Sequence, residues 1–351
     1  MNRREVLKIA GAVTVIGRTP ISVSAVGQGA KTEIRPDPVR PRRLAPGDTV
    51  AMVAPASATF LKMELDLAQE ALEALGLKVV LGQHLLDRHG YLAGQDVARA
   101  ADINRFFADP SIRAVLPIRG GWGSSRVLPY LDYASIRRNP KIVLGYSDIT
   151  ALLLAINAKA NLVTFHGPNG MGRWDQWSAD FVKRVLFNAE TVTFDNPHDK
   201  GDFIIQTENR TQTIVPGTAR GTLLGGNLTV LTALLGSPYL PAWEGCILFL
   251  EDVGEDIYRI DRMLTSLKLA GVLPKIRGFV FGTCDECDPG EGYGSLTLEE
   301  VFDDHIRPLN VPAWRGAMIG HRIPQFTLPV GAQVEIDATQ ATIRMIAPAV
   351  S

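Results

Sequence analysis

Charge of one sign is what this chain fails to accumulate. Its 36 Lys and Arg are set against 37 Asp and Glu, a formal net charge of -1, and the two signs are interleaved along the sequence. Without a basic stripe to track a phosphate backbone, nucleic acid is not an expected partner. Cysteine is also scarce: 351 residues contain three, Cys246, Cys284 and Cys287. The last two form Cys284-Asp285-Glu286-Cys287, a spacing open to a redox pair, half of a zinc site or chance. A structural zinc takes about four ligands and no second Cys pair is present, so no metal is expected. In an oxidising compartment a local disulfide is open to the pair; it is read as structural, with no chemistry assigned to it. Apolar runs long enough to cross a bilayer are missing too, so no membrane span is expected. Internal repeats and low-complexity segments are absent from the sequence.

What is present points to a soluble globular protein with a large core. Hydrophobic residues make up 46% of the chain and charged residues 21%, and the length favours two domains over one. The N-terminus departs from that average. Arg3-Arg4 precedes a modest apolar run, Ile9 to Ile16, and small residues follow around Ser24-Ala25 and Gly29-Ala30. This is the layout of a twin-arginine export signal over residues 1–30, with no nearby cysteine to carry a lipid. The expected location is the periplasm. The alternative is a frayed basic tail on a protein that stays in the cytoplasm.

Beyond a Pro- and Arg-rich lead-in, strands and helices alternate. Thr49 to Val53 reads as a buried strand, about Leu61 to Leu75 as a helix ended by Gly76, Lys78 to Leu81 as a strand, about Asp96 to Ala108 as a helix, and Ala114 to Ile118 as a strand. Such alternation predicts a parallel sheet covered on both faces. Asp195 to Pro216 turns polar, as a domain boundary does. The expected division is an N-terminal domain over 42–195, a linker over 196–216 and a C-terminal domain over 217–348. In the last, Cys246 to Leu250, Phe279 to Phe281 and Ala317 to Ile319 read as strands and about Ile257 to Ala270 as a helix.

Four apolar strand runs end on reactive or Gly-rich residues: Ile118 on Arg119-Gly120-Gly121, Leu144 on Gly145-Tyr146-Ser147, Leu250 on Glu251, and Ile319 on Gly320-His321. Ligands bind at the carboxyl ends of strands in open α/β sheets. Lys141 to Ala155 reads as strand, tight turn at Gly145, then helix, which lifts Ser147 clear of the sheet with backbone N–H groups behind it. Serine is a weak nucleophile until a histidine takes its proton, and a carboxylate fixes that imidazole. Each residue also has a plainer reading. Ser147 is a common helix cap, Glu251 opens an acidic segment favoured near a helix N-terminus, and His321 is an ordinary loop histidine. Arg119-Gly120-Gly121-Trp122-Gly123 lacks the Lys-Ser/Thr ending of a phosphate-binding loop. His166, in Phe165-His166-Gly167-Pro168, competes as the base.

Taken together, several motifs in order resemble the LD-carboxypeptidase family of serine peptidases, which includes murein tetrapeptide carboxypeptidases and microcin-immunity peptidases. They are Arg119-Gly120-Gly121-Trp122-Gly123 with Leu128-Pro129-Tyr130-Leu131-Asp132, Gly145-Tyr146-Ser147-Asp148-Ile149-Thr150, Phe165-His166-Gly167-Pro168, Gly225-Gly226-Asn227-Leu228, Leu250-Glu251-Asp252-Val253-Gly254-Glu255 with Tyr258 to Leu264, and Gly320-His321 with Leu328-Pro329-Val330-Gly331. The likeness runs from about residue 42 to 346. It implies a nucleophile at Ser147, a carboxylate at Glu251, a base at His321 and an oxyanion hole from the backbone N–H groups of Asp148 and Gly121, with no cofactor. It further implies a flavodoxin-like, parallel-sheet N-terminal domain, a smaller swivelling-type α/β C-terminal domain, and a cleft between them. Trp122 departs from the family's usual Tyr, and the export signal departs from its familiar cytoplasmic setting.

The expected activity is removal of a terminal D-amino acid, D-Ala above all, from a murein stem peptide. Arg119 is the candidate anchor for the substrate's terminal carboxylate, with Trp122 beside it as a pocket wall. An amidase acting on peptide–nucleotide conjugates and a non-catalytic exported peptide-binding protein are the alternatives. A two-fold homodimer would be unsurprising, that symmetry being the commonest. The leader carries its own prediction: protein recovered from periplasm will begin near residue 26 or 31 by N-terminal sequencing, and an intact Met1 there would remove the export reading.

Overall fold

Short apolar runs bounded by Gly and polar residues become buried strands in the computed structural model, which describes residues 37–172, 174–289 and 294–351. The leader expected over residues 1–30 lies outside the described residues. β1 (Thr49–Val53), β2 (Lys78–Leu81), β3 (Ile112–Pro117), β4 (Ile142–Gly145) and β5 (Thr164–His166) pair in parallel in the order β2-β1-β3-β4-β5. That is the flavodoxin-like order of a doubly wound sheet. The helices Lys62–Ala74 and Asp96–Ala108 fall where the 3.6-residue spacing places them, burying Leu65, Ala68 and Leu72 from the first and Ile103, Phe106 and Phe107 from the second.

The second sheet is mixed. β6 (Thr193–Phe194), β7 (Gln212–Val215), β8 (Thr218–Asn227), β9 (Ile247–Val253), β10 (Gly278–Asp285), β11 (Ala313–Arg315), β13 (Gln333–Asp337) and β14 (Thr342–Met345) lie in the order β6-β14-β13-β8-β9-β10-β11-β7. Parallel pairs join β8 through β11 at its centre, flanked by antiparallel strands on each side. The remaining strand, β12 (Leu328–Val330), leaves this sheet and pairs antiparallel with β5 at the edge of the first. The polar segment expected as a linker thus supplies a strand, β7, and the late chain returns to the first sheet through β12. Residues Pro38–Ser351 form one compact unit.

Two local expectations are corrected. Ala317 to Ile319 is not a strand. Gly316, at φ +90°, ends β11 early, and the chain then follows an irregular path in which the Met318 N–H donates to Asn196 and the Ile319 carbonyl accepts from Thr283 N–H at 2.9 Å. This detour carries the chain to Gly320 and His321. Nor does Gly145 make the turn before Ser147. It is the last residue of β4, and a methyl group there would sit 2.7 Å from Asn169 Oδ1 and 2.9 Å from Ile149 Cγ2, so glycine is needed for close packing.

The helix that follows Ser147, Thr150–Ala160, has the sequence TALLLAINAKA and almost no polar stripe. A helix apolar all round must be buried all round. It packs against β4 and β5 of the first sheet and against β8 of the second. Its first residue makes the tightest of these contacts: Thr150 Oγ1 accepts the N–H of Asn227 at 2.9 Å. Gly226, at φ +140°, leaves room for it, since a methyl group there would lie 2.5 Å from Thr150 Oγ1. Gly226→Ala therefore combines overpacking with a disfavoured backbone conformation, and should lower unfolding stability by about 2–4 kcal/mol. Urea or guanidinium unfolding checks this; an unchanged midpoint would mean the two lobes are not wedged at this point.

Candidate active site

Ser147 is held in a conformation that its own chemistry disfavours. Its φ is +64°, in the left-handed region, where a non-glycine residue costs roughly 1–3 kcal/mol. It stands inside a single 3-10 turn, Ser147–Ile149, between β4 and the buried helix, and neither that turn nor the helix takes it as cap residue. The surroundings over-determine this geometry. Tyr146 N–H donates to Asn169 Oδ1 at 3.1 Å on one side. On the other, the buried Asp148 carboxylate accepts the N–H of Ser124 at 2.7 Å, and the Ser124 hydroxyl donates back to the Asp148 carbonyl. Burial raises the Asp148 pKa, with the hydrogen bonds from Ser124 pulling against it. Its side chain therefore ties the serine turn to the helix start after Gly123.

The glycine loop after β3 lies directly against this turn. A methyl group on Gly120 would meet Ser147 Cβ at 3.0 Å and Asp148 N at 3.2 Å. Gly121, at φ +101°, has its missing side chain's place taken by the Ser57 hydroxyl, which accepts Trp122 N–H at 2.9 Å. Arg99, 1% exposed, bonds the carbonyls of Pro55 and Gly123 and so fixes both ends of the neighbouring loops. Gly120 and Gly121 thereby line the same corner as Ser147.

Glu251 comes from β9 of the second sheet and is completely buried. A lone buried carboxylate would be neutral, because burial opposes its charge. Here burial is outweighed by interaction with His166 and His321, and the carboxyl is held down at about 2. Its Oε2 lies 2.9 Å from His321 Nδ1. Burial disfavours charge on His321 as well, but the bond to Glu251 and the negative charges of Glu251, Asp252 and Asp285 prevail and raise its pKa. With Nδ1 engaged, Nε2 is the nitrogen left for proton transfer. Gly320 is essential to the approach: at φ +125°, its missing methyl would sit 3.0 Å from Glu251 Oε2 and 2.7 Å from Thr283 Oγ1. Next to Glu251, Asp252 is pushed up to about 6 by burial and by the Glu251 charge, while Asn227 and Thr229 bond its carboxylate.

Ser147, His321, Arg119, Gly120, Gly121, Tyr146 and Asn169 line one open cavity of about 220 Å³. It adjoins a larger one of about 590 Å³ that also includes Tyr146 and His321 and extends to Asp285 and Arg322. Arg119 reaches the Ala58 carbonyl at 3.4 Å, a long contact that leaves its guanidinium on the cavity wall. The Trp122 indole stands 66% exposed on the glycine loop. His166 faces the other oxygen of Glu251 at 3.9 Å, buried behind the cavity. Cys284 and Cys287 are joined as a disulfide at the end of β10. Among the described residues no group of three or more His, Cys, Asp and Glu side chains is placed to hold a metal. Sequence reasoning missed Ser57, Asn169 and Ser124. Only Asn169 left a signal, following Phe165-His166-Gly167-Pro168 directly.

Residues 50–167 match the LD-carboxypeptidase N-terminal domain and residues 220–336 the LD-carboxypeptidase C-terminal domain. A probable murein peptide carboxypeptidase of Bacillus subtilis (strain 168) is 40% identical over 304 residues, 86% of this chain and 93% of that protein. Among solved structures, MccF in complex with glutamyl sulfamoyl guanosine superposes with a TM-score of 0.80 at 27% identity, covering 90% of this chain and all of that one, 100%. The muramoyltetrapeptide carboxypeptidase from Oxalobacter formigenes gives a TM-score of 0.71 at 27% identity, over 85% of this chain and 97% of that one. Matches to both domains, in order and over most of the chain, place this protein in the LD-carboxypeptidase family of serine-type peptidases.

Proposed function

We propose that the protein is an LD-carboxypeptidase that hydrolyses the amide before a terminal D-amino acid, D-Ala in particular, on murein tetrapeptides. The observation that carries this reading is the buried Glu251–His321 pair opening onto the cavity that also holds the strained Ser147. In the proposed mechanism Ser147 Oγ attacks the scissile carbonyl while His321 Nε2 takes its proton. Glu251 keeps Nδ1–H oriented and stabilises the imidazolium. The N–H groups of Asp148 and Gly121 receive the developing oxyanion, and the loss of one such donor typically costs about 100- to 1,000-fold in rate. His321 then protonates the leaving D-amino acid nitrogen. Water, deprotonated by the same imidazole, releases the acyl group from Ser147. Arg119 is the proposed partner of the substrate's terminal carboxylate, its planar fork matching that group.

Export remains part of the proposal. A periplasmic enzyme of this kind would meet wall peptides as they are released, rather than peptides already taken up. A second reading rests on the likeness to MccF, whose structure holds an aminoacyl-nucleotide analogue. The same triad would then cleave an amide in a peptide–nucleotide conjugate.

Purified protein incubated with a tetrapeptide ending in D-Ala should release D-Ala. Ser147→Ala should lose at least about 10³-fold in kcat, and Glu251→Gln about 10⁴-fold through the wrong imidazole tautomer. D-Ala release that survives Ser147→Ala would rule out this nucleophile, and turnover confined to a conjugate would favour the second reading. The pH dependence has a fixed sign. Protonated His321 cannot accept the serine proton and its pKa is raised, so kcat/KM should fall with decreasing pH along a limb centred above the usual imidazole value of about 6.5. A limb below that value would mean that the Glu251 charge is not what governs His321.

A further inference from the structure

The buried carboxylate has two imidazole neighbours, and the triad uses only one. His166 sits on β5, 1% exposed, with Nε2 3.9 Å from Glu251 Oε1. Both of these atoms are buried without a hydrogen-bond partner. One is the free oxygen of an ionised carboxylate, an obligatory acceptor; the other is a ring nitrogen able to donate. Leaving such a complementary pair apart in a buried interior wastes two interactions, and a side-chain adjustment of about 1 Å closes it to normal hydrogen-bond length.

The frame around His166 permits that closure and little else. Its backbone is fixed by pairing with Gly145 of β4 and Leu328 of β12. Its ring meets the Phe249 ring edge-on at 5.3 Å and the Tyr146 ring at 6.3 Å. Phe249 is two residues before Glu251 on β9, so the same strand supplies both the wall and the acceptor.

We propose that His166 is a positioning residue: its Nε2–H donates to Glu251 Oε1, holding the carboxylate plane so that Oε2 stays aimed at His321 Nδ1. The inference rests on the catalytic reading above. Held at one oxygen only, the carboxylate would be free to turn about its last torsion and to lose its line to His321. The titratable groups facing this pair are Glu251 itself, His321, Tyr146 and, toward His321, Asp252 and Asp285.

Two variants separate positioning from packing. His166→Phe keeps a ring against Phe249 but has no donor, whereas His166→Gln offers an amide N–H at similar reach. In the full-length protein, His166→Phe should lower kcat about tenfold to a hundredfold with KM little changed. It should also move the acid limb of kcat/KM to lower pH, because a carboxylate that turns away gives up the bond that raises the His321 pKa. His166→Gln should restore both. A loss of kcat without movement of the limb, or a Gln variant no better than Phe, would reduce His166 to a packing residue and overturn the proposal. An NMR titration of the imidazoles needs no turnover. In Ser147→Ala protein the His321 pKa should fall on His166→Phe, and in the parent His166 should carry a proton on Nε2 even if the Phe variant fails to fold. A His166 protonated only at Nδ1 would overturn the proposal. A wild-type protein inactive on the tetrapeptide, with these imidazole signatures intact, would instead count against the catalytic reading alone.

Discussion

A buried carboxylate that must stay charged is the constraint the structure is built to satisfy. Glu251 is taken wholly out of water on the central strands of the second sheet, and its ionisation survives only because His321, and behind it His166, face it. That requirement explains features far apart in the chain. Gly320 has no side chain because Glu251 and Thr283 fill the space. β11 stops at Gly316 so that the following segment can swing across β10 and deliver His321. Gly225 likewise gives up a side chain where the Phe249 carbonyl passes, letting β8 lie tightly beside β9.

The first sheet contributes a different kind of cost. Ser147 occupies a left-handed conformation that an isolated peptide would abandon, and it is kept there by hydrogen bonds on both flanks and by a helix with no polar face to expose. Strain of this sort persists only where neighbouring structure outweighs it. The Thr150–Asn227 bond then links the serine turn to the end of β8, where Asn227 pairs directly with the acid, Glu251 of the adjacent β9. The serine and the carboxylate are thus set against a common piece of structure, although they belong to different sheets. β12, crossing back to pair with β5, fastens the late chain to the strand that carries His166.

Much of this was legible in the residues. Alternating strand and helix patterns placed the helices Lys62–Ala74 and Asp96–Ala108 within a residue and anticipated a parallel sheet, because amphipathic spacing and strand length are local properties. The errors have a common physical origin. Ala317 to Ile319 is apolar and strand-like by composition, yet it folds as an irregular segment because a glycine before it and tertiary hydrogen bonds from Asn196 and Thr283 dictate its path. Gly145 looked like a turn residue, but what excludes a side chain there is packing against Ile149 and against Asn169, which is 24 residues later. Ser57 and Ser124 were invisible for the same reason: such a serine has no signal until its partner is folded against it.

By itself the sequence determined which segments are buried and placed Arg119-Gly120-Gly121 and Ser147 just beyond strands, since these follow from composition and from contacts between near neighbours in the chain. Only the tertiary structure decided that Glu251 would meet two imidazoles, that His321 would present one nitrogen to it, and that the serine would carry the strain. Those outcomes depend on contacts between residues well separated in the chain, 23 positions for Tyr146 and Asn169 and 70 for Glu251 and His321, which no local pattern encodes.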